Sequence, residues 1–260
     1  MDRQKARLSK IFNTIKINNA ATIRELATLL EVSEMTIRRD LSVLATDNMV
    51  KLIHGGAVLN PASFAGNGSE DKYSLSDQGR QRQAEKMRIA QKAVSLLEPN
   101  DVVILDLGTT TEYLAKAIPD NLPITVLCYA LNTLLAVYRK NACRLIFAGG
   151  YFHENTLMFE SKEGLRLISA IRANKAFMAA SGVSRDLGVT TPDHHEMEAK
   201  SAAMKSSLTK ILCVDSSKFG RISATYFADL SSFNVVITDT GIPAEYEGII
   251  RDAGITLYCV

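Results

Sequence analysis

The sequence has no long hydrophobic run, and this absence excludes one class of protein. Its longest unbroken apolar stretch is 126–131, six residues, whereas a helix that crosses a bilayer needs roughly 20. The first ten residues, MDRQKARLSK, are charged from the second onward and lack the apolar centre of a secretory signal. We therefore expect a cytoplasmic protein that has no membrane partner.

Cysteine is scarce and scattered. Cys128, Cys143, Cys213 and Cys259 are far apart in apolar surroundings, and the sequence contains no CxxC pair and no Cys/His cluster. A zinc site or a disulfide framework needs such spacing, so we expect neither, and we expect the four thiols to fill the core. With 47% hydrophobic and 22% charged residues, the chain can bury a core.

A large net charge is also missing, since the formal charge is only +2. Its distribution is uneven, because residues 1–60 hold nine Lys or Arg and six Asp or Glu, a balance of +3 that leaves −1 for the rest. The first segment is therefore the place to look for a nucleic-acid interface.

A change of composition divides the chain. Residues 59–77, LNPASFAGNGSEDKYSLSD, are rich in Pro, Gly, Ser and Asn and have no periodic apolar pattern, which is typical of a linker. We expect a small domain over residues 1–58 and a larger one over 78–260, because 260 residues allow both.

The small domain is predicted to contain three helices. The first has one buried face, formed by Leu8, Ile11, Phe12 and Ile15. The second, from about Thr22 to Leu30, is expected to bury Ile23, Leu26, Leu29 and Leu30. After a short turn, Ser33 is predicted to cap a third helix that ends near Ala45 and buries Ile37, Leu41 and Leu44. Gly55 and Gly56 then predict a hairpin turn with positive φ.

Two helices joined by so short a turn are typical of a helix-turn-helix, with the hairpin as a wing. The outer face of the third helix carries arginine, serine and threonine, which hydrogen-bond to bases or phosphates. The predicted DNA contacts are Ser33, Glu34, Met35, Thr36, Arg38, Arg39, Lys51, His54 and Gly55. The pattern by itself leaves open an ordinary helical subdomain with solvated arginines.

Beyond the linker, short apolar strands alternate with helices. The strands are predicted at 102–106, 124–129, 144–148, 175–180, 210–215, 234–238 and 255–260. The helices are predicted at 81–97, 110–118, 131–139, 161–171, 196–208 and 243–253. Continuous Val/Ile/Leu strands joined by helices predict an α/β domain with a mostly parallel sheet covered on both faces, with antiparallel strands allowed at its edges.

Several predicted strands end in residues suited to binding an anion. Residues 106–111 read DLGTTT, and free amides at the start of a helix beside three hydroxyls suit a phosphate. Gly149-Gly150, Ser181-Gly182 and the segment 215–220 with Lys218 follow three other strands. Ligands of open α/β sheets lie beyond the carboxyl ends of strands, so we expect these segments to share one pocket. A tight turn with a threonine cap is the alternative for 106–111.

The sequence resembles the DeoR family of bacterial transcriptional repressors. The resemblance rests on VSEMTIRRDL at 32–41, HGGAV at 54–58, the D-x-G-T-T loop at 106–110, the D-x-S-K-F-G loop at 215–220 and the acidic stretch EMEAK at 196–200, and it covers about 3–258. It implies a winged helix-turn-helix whose bihelical element spans 20–39. It also implies a C-terminal domain related in fold to ribose-5-phosphate isomerase and sugar-phosphate deaminases.

The resemblance further implies a repressor that binds a double-stranded operator and is released by a phosphorylated sugar. We expect the phosphate on 108–111 with Lys218, and sugar hydroxyls on Asp106, Glu196 and Glu198, while Asp215 orients Lys218. The full predicted effector set is Asp106, Gly108, Thr109, Thr110, Thr111, Gly149, Gly150, Ser181, Gly182, Glu196, Glu198, Lys200, Asp215 and Lys218. A homo-oligomer is expected, since operator half-sites mirror two-fold symmetry.

Three alternatives remain open at this stage. The first is a sugar-phosphate isomerase or deaminase with a DNA-binding head, and the second is an activator built from the same parts. Both stay open because fold analogy does not decide function. His194 and His195 beside Glu196 are also a metal-cluster candidate. We expect no metal, no cofactor and no catalysis, and we predict that Asp193 caps the helix that follows it.

Overall fold

The computed structural model describes residues 7, 8, 10–12, 14, 15, 20–46, 50–53, 55–59 and 81–260. The chain divides into two compact units, 1–72 and 73–260, and the division falls inside the predicted linker. Apart from Leu59, which ends a strand, residues 59–77 lie outside the described part of the chain. The extent of the linker therefore stays a prediction.

The first unit is a winged helix-turn-helix. Its elements are β1 (Ala20–Thr22), α1 (Ile23–Leu30), α2 (Glu34–Thr46), β2 (Val50–Ile53) and β3 (Gly56–Leu59). The three strands form an antiparallel sheet in the order β1-β3-β2. β1 was not predicted, because three residues are too few to show an alternating pattern.

The ends of α1 and α2 follow from local sequence. A capping box starts α1, because the Thr22 hydroxyl accepts from the Glu25 amide at 3.2 Å and the Glu25 carboxylate accepts from the Thr22 amide at 2.8 Å. Glu31 ends α1 in the left-handed conformation. As predicted, Ser33 caps α2, since its hydroxyl accepts from the Thr36 amide at 3.2 Å. The turn between the helices is thereby defined at both ends.

The core of the first unit matches the predicted stripes with one correction. The described residues between 7 and 15 are helical. Leu29 was wrongly placed in the core, because it is 61% exposed while Ala27 is buried. Six residues of helix carry Leu29 about 120° around the axis from Ile23, outside the buried stripe. The buried apolar residues are Ile11, Ile15, Ala21, Ile23, Leu26, Ala27, Ile37, Leu41, Leu44, Val50 and Ala57.

The second unit is an α/β domain. Its helices are α3 (Gln83–Val94), α4 (Thr109–Ala117), α5 (Leu131–Val137), α6 (Lys162–Ala170), α7 (His195–Lys205) and α8 (Ala244–Asp252). Its strands are β4 (Val102–Leu105), β5 (Thr125–Cys128), β6 (Arg144–Phe147), β7 (Tyr151–His153), β8 (Met158–Glu160), β9 (Ala173–Met178), β10 (Gly182–Ser184), β11 (Gly188–Thr191), β12 (Ser207–Cys213), β13 (Thr225–Ala228), β14 (Val235–Thr238) and β15 (Thr256–Cys259). Short 3-10 turns occupy Ser216–Lys218 and Leu230–Ser232.

All seven predicted strands form one parallel sheet in the order β15-β14-β12-β9-β4-β5-β6. The strand order reverses between β4 and β9, because the chain builds outward from β4 to β6 and then returns to the other side of β4. A crevice for a ligand opens beyond the carboxyl ends of strands at such a switch point.

The antiparallel strands that the sequence pattern allowed at the sheet edges do not occur there. Both edge strands, β6 and β15, are parallel to their neighbours. The antiparallel strands form separate sheets, β10-β11-β13 and β7-β8. Each of these strands has three or four residues and includes glycine or a polar residue, so none shows a continuous apolar run.

Helices cover both faces of the large sheet. Buried residues of α3, α4 and α5 pack on one face, and those of α6, α7 and α8 pack on the other. Cys259 does not fill the core as expected, because it is exposed on the edge strand β15, whereas Cys128 and Cys213 are buried. In the described part of the chain, no helix combines the length and apolar character that spanning a bilayer requires.

Candidate functional site

The outer face of α2 is free of contacts with the core of its unit. Arg38, Arg39 and Ser42 are exposed, and Met35 is 60% exposed. Of the other predicted contacts, Ser33, Glu34 and Gly55 are exposed and Thr36 is half-buried. His54 and the side chain of Lys51 lie outside the described residues. The surface is therefore a mainly polar helix face that also exposes two apolar side chains, Met35 near its N-terminal end and Val43 further along.

An unpredicted ion pair holds the inner face of α2. Asp40 is 1% exposed, and its carboxylate accepts from Arg7 Nε at 2.5 Å and Arg7 Nη2 at 3.2 Å. This pair links the first helical segment to α2, so it orients the recognition helix. The signal was present, because Asp40 occupies a position in the i, i+3, i+4, i+7 stripe that otherwise buries only apolar side chains.

The two hairpin glycines serve different purposes. Gly55 takes a φ of +81°, as the predicted turn requires, and a Cβ added there would meet nothing within 4 Å. A Cβ on Gly56 would lie 2.4 Å from the carbonyl oxygen of Ala21 in β1. Gly56 is therefore needed for the close pairing of β1 with β3.

A small cavity opens at the switch point between β4 and β9. The lining residues are Lys86, Leu107, Gly108, Thr109, Thr110, Ala179, Ala180, Ser181, Thr191, Glu196, Lys200 and Lys218. The site combines a helix start, hydroxyl groups, three lysines and one carboxyl group.

The N-terminus of α4 forms one wall. Gly108 precedes the helix with a φ of +143°, and no side chain caps the helix. A Cβ at Gly108 would lie 2.7 Å from that of Ala179, so only glycine allows the β4 loop to approach the β9 loop this closely. The Thr111 hydroxyl donates to the Gly108 carbonyl at 3.0 Å, whereas Thr109 and Thr110 line the cavity. The threonine cap of the alternative interpretation is therefore absent, and the helix start is suited to an anion.

Two lysines from distant parts of the chain face this helix start. Lys218, in the 3-10 turn after β12, was predicted, and burial lowers its pKa. Lys86 of α3 was missed; it is 2% exposed, and burial lowers its pKa to about 8. The signal for Lys86 was its place in the buried stripe of α3, three residues before Ile89.

A buried polar chain lies behind the cavity. The Asp106 carboxylate accepts from Lys200 Nζ at 2.6 Å, from the Ala179 amide at 2.9 Å and from the Tyr129 hydroxyl. Burial raises the pKa of Tyr129, which was not predicted to take part. Asp106 is fully buried and is absent from the cavity lining, so its carboxylate holds Lys200 and the β9 loop in place.

Glu196 ends this chain at the cavity wall. Its Oε2 atom accepts from the Thr191 hydroxyl and lies 3.6 Å from Lys200 Nζ. Burial raises the pKa of Glu196 to about 7. Among the described residues, Oε1 has no hydrogen-bond partner. Glu196 therefore brings to the cavity lining a carboxyl group with one buried oxygen that no described residue satisfies.

Asp215 and Arg82 anchor the loop that carries Lys218. Asp215 caps the 3-10 turn, since its carboxylate accepts from the Ser217 amide at 3.1 Å. Arg82, just before α3, donates to the Ser216 hydroxyl at 3.0 Å and lies 3.8 Å from Asp215. Asp215 thus anchors the loop that carries Lys218, and its role in orienting Lys218 stays a prediction.

The structure brings half of the predicted effector residues to the cavity. Those in the lining are Gly108, Thr109, Thr110, Ser181, Glu196, Lys200 and Lys218. Asp106, Thr111 and Asp215 are buried and are not part of the lining. Gly149 and Gly150 follow the edge strand β6, two strands from β4. Gly182 lies in β10, where a Cβ would meet the carbonyl oxygen of Arg221. Glu198 is exposed on α7. Gly149, Gly150, Gly182 and Glu198 are not part of the lining either.

His153 of β7 and His195, the first residue of α7, form a cluster of their own. The rings of His153 and His195 stack with centroids 3.8 Å apart, and His153 Nε2 lies 2.8 Å from Glu160 Oε2. Asp193 does not cap α7 as predicted, because its carboxylate accepts from Asn155 Nδ2 at 2.6 Å. No group of three or more metal-binding side chains occurs within the described ranges.

Comparison with known families gives two matches that together span most of the chain. Residues 7–62 match the DeoR-like helix-turn-helix domain. Residues 81–240 match the DeoR C terminal sensor domain. The first match contains the α2 surface, and the second contains every residue that lines the cavity.

Curated relatives are similar over nearly their whole length. The chain is 35% identical to the deoxyribose operon repressor of Escherichia coli K12 over 244 residues, 94% of each chain. It is 32% identical to the transcriptional regulator GolR of Listeria innocua, over 96% of each chain. The glycerol-3-phosphate regulon repressor of Escherichia coli K12 is 29% identical over 98% of each chain.

Solved structures give weaker matches. Ribose 5-phosphate isomerase A from Methanocaldococcus jannaschii aligns with a TM-score of 0.39 and 14% identity, over 53% of this chain and 54% of that one. A probable sor operon regulator from Shigella flexneri aligns with a TM-score of 0.39 and 13% identity, over 68% and 88%. Matches at this level carry no argument about function.

Proposed function

Since the chain belongs to the DeoR family of transcriptional regulators, we propose that it represses a carbohydrate-catabolism operon and leaves its operator when a phosphorylated sugar fills the cavity. Two relatives named as repressors, of the deoxyribose operon and of the glycerol-3-phosphate regulon, support this reading. The cavity is taken as a sensor site that binds its ligand without converting it.

The DNA contact in this proposal is made by α2 in a major groove of the operator. Its N-terminal residues contact base edges, as recognition helices of this type do. Arg38 and Arg39 supply charge, and an arginine is able to pair with guanine through two hydrogen bonds or to hold a phosphate. The wing carrying Lys51 and His54 adds contacts to the DNA backbone.

The observation that carries the effector assignment is the meeting of an uncapped helix start with lysines at a sheet switch point. The amides at the N-terminus of α4 are able to donate to an anion, and the helix dipole favours negative charge there. Lys86 and Lys218 bring two positive charges to the same cavity. A phosphate on the amides and these lysines leaves the rest of the ligand toward Ser181 and Glu196.

Release of the operator requires that the effector bind the DNA-free conformation more tightly than the bound one. A coupling of about 1–3 kcal/mol would change operator affinity roughly 5–150-fold. We also propose a dimer or larger oligomer, because operators with two half-sites are read by symmetric proteins. A monomer mass by light scattering, with and without operator DNA, would contradict this part.

The decisive experiment compares wild type with Lys218→Ala. Operator affinity is titrated by mobility shift while a panel of phosphorylated sugars is added. We expect the variant to bind DNA normally without sugar phosphate and to lose most of the response. Lys162→Ala, an exposed lysine at the start of α6, is the control and should respond like wild type. If no phosphorylated sugar changed operator affinity in wild type, the effector proposal would be wrong.

The enzyme alternative is favoured by one observation, the buried carboxyl group of Glu196. A carboxyl group whose pKa lies near 7 beside lysines is suited to general acid–base chemistry on a sugar phosphate. Incubation of the protein with ribose 5-phosphate or glucosamine 6-phosphate would distinguish the two. Sustained turnover that disappears in Glu196→Gln would replace the sensor proposal with an enzyme.

A further inference from the structure

The structure separates the three acidic side chains that were predicted to bind sugar hydroxyls. Both oxygens of Asp106 are already hydrogen-bonded, Oδ1 to the Tyr129 hydroxyl and the Leu107 amide, Oδ2 to the Ala179 amide and Lys200. Glu198 is exposed on α7 and does not line the cavity. Asp106 thus has little capacity left, and Glu198 is out of reach.

Glu196 differs from both. Its side chain is 1% exposed and lines the cavity. Thr191 and Lys200 engage Oε2, and Oε1 lacks a partner among the described residues. A buried carboxyl oxygen without a hydrogen bond is unfavourable, and a ligand hydroxyl that donates to it removes the penalty. Such an atom at the wall of a cavity is a docking point for one donor group.

This inference rests on the proposed function. We propose that the cavity selects a polyhydroxy monophosphate, that is a compact sugar or sugar-alcohol phosphate, through Glu196 Oε1. Phosphates without a hydroxyl group on carbon are bound less tightly. The phosphate occupies the start of α4 between Lys86 and Lys218. A hydroxyl of the same ligand donates to Oε1.

The charge around Glu196 makes this recognition dependent on pH. The titratable groups that face it are Lys200 on α7, Asp106 after β4, Tyr129 after β5, Asp193 and His195 beside it, and Lys86 and Lys218 across the cavity. Lys200 is paired with Asp106 at 2.6 Å, so a second buried carboxylate is poorly compensated. Burial raises the pKa of Glu196 to about 7, and it is therefore partly protonated near neutral pH.

A hydroxyl that donates to Oε1 favours the ionised form of Glu196. Binding then releases a proton from the protonated fraction, and affinity for the hydroxylated ligand falls as the pH drops below about 7. Between pH 8 and pH 6 the ionised fraction falls about tenfold, and the affinity should fall by about the same factor. The phosphate ester group itself titrates near pH 6, and propyl phosphate, an ester without a further hydroxyl, controls for this titration.

The test measures binding by calorimetry to the full-length protein. The probes are inorganic phosphate, propyl phosphate, glycerol 3-phosphate, ribose 5-phosphate and 2-deoxyribose 5-phosphate. Wild type, Glu196→Gln, Glu196→Ala and Glu198→Gln are compared. Glu198→Gln is the matched control, because it changes the same residue type two positions along α7 at an exposed site.

In wild type and Glu198→Gln, at least one hydroxylated ester should bind tenfold or more tightly than propyl phosphate. In both Glu196 variants this preference should fall to about threefold or less, and the pH step near 7 should disappear. Inorganic phosphate should bind all four proteins alike, which also shows that the variants are folded.

Two failures are distinguishable. If wild type bound neither inorganic phosphate nor any ester, the effector proposal would fail and this inference with it. If the esters bound and the Glu196 variants kept the full preference for hydroxylated ligands, only the role of Glu196 would be overturned. A variant that no longer bound inorganic phosphate would also overturn it, because Glu196 would then support the phosphate site instead of reading the hydroxyl.

Discussion

Replacement of Lys200 by methionine should strongly destabilise the C-terminal unit. Lys200 Nζ lies 2.6 Å from Asp106 Oδ2, and the two side chains are 2% and 0% exposed. Methionine keeps most of the length and apolar surface of lysine while removing the charge. The substitution therefore leaves the Asp106 carboxylate buried with only neutral donors.

The size of the effect follows from this geometry. At an effective dielectric constant of about 20, two unit charges 2.6 Å apart attract by about 6 kcal/mol. Desolvation of both ions offsets much of this, and removal of one partner of a buried pair costs about 3–5 kcal/mol. A domain is stable by about 5–15 kcal/mol, so the single variant should lose a large share of its stability.

The double variant Asp106→Asn, Lys200→Met should regain most of that loss, because no uncompensated charge remains. Lys205→Met, an exposed lysine of the same helix, should have almost no effect. The chain contains no tryptophan, so urea unfolding is best followed by far-ultraviolet circular dichroism.

Two results would refute the reasoning about this pair. A Lys200→Met protein within about 1 kcal/mol of wild type would show that the pair contributes far less than a buried ion pair should. A double variant as unstable as the single one would show that Lys200 acts through its packing and not through its charge.

Two further predictions concern the N-terminal unit. Arg38→Ala with Arg39→Ala should weaken operator binding in a mobility-shift titration, by about 1–3 kcal/mol for each arginine that reads a base, and unchanged affinity would refute the assignment of α2. Gly56→Ala should lower the thermal stability of this unit more than Gly55→Ala, because a Cβ at 56 meets a backbone carbonyl at 2.4 Å, whereas at 55 only the φ of +81° is strained, at about 1–2 kcal/mol. Equal losses in the two glycine variants would contradict the close β1–β3 approach.

Local pattern predicted the large elements of this protein well. The seven strands of the main sheet contain short, mainly apolar runs, because helices cover the sheet on both faces. Ser33 was recognised as a cap because its hydroxyl and its target amide are three residues apart. The short strands β1, β7, β8, β10, β11 and β13 were missed, because each includes glycine or a polar residue and shows no continuous apolar run.

The buried charges show where pattern reading stops. Lys86 and Asp40 occupy the buried, otherwise apolar stripes of their helices. A charged residue in such a stripe indicates either that the helix is wrongly predicted or that the charge has a partner from another element. The partner of Asp40 is Arg7, 33 residues away. Sequence spacing does not identify such a partner, because the contact exists only after the helices pack.

The sequence alone determined the two-part organisation, the helix-turn-helix, the parallel sheet and the loops rich in Gly, Thr and Lys, since each of these depends on residues a few positions apart. Only the tertiary structure decided which loops meet. The sheet order places β4 beside β9, so their loops form the cavity with α7, while the Gly149-Gly150 loop is carried to the edge by β6. Strand order is set by packing between segments tens of residues apart, and it therefore decides the site without leaving a local pattern.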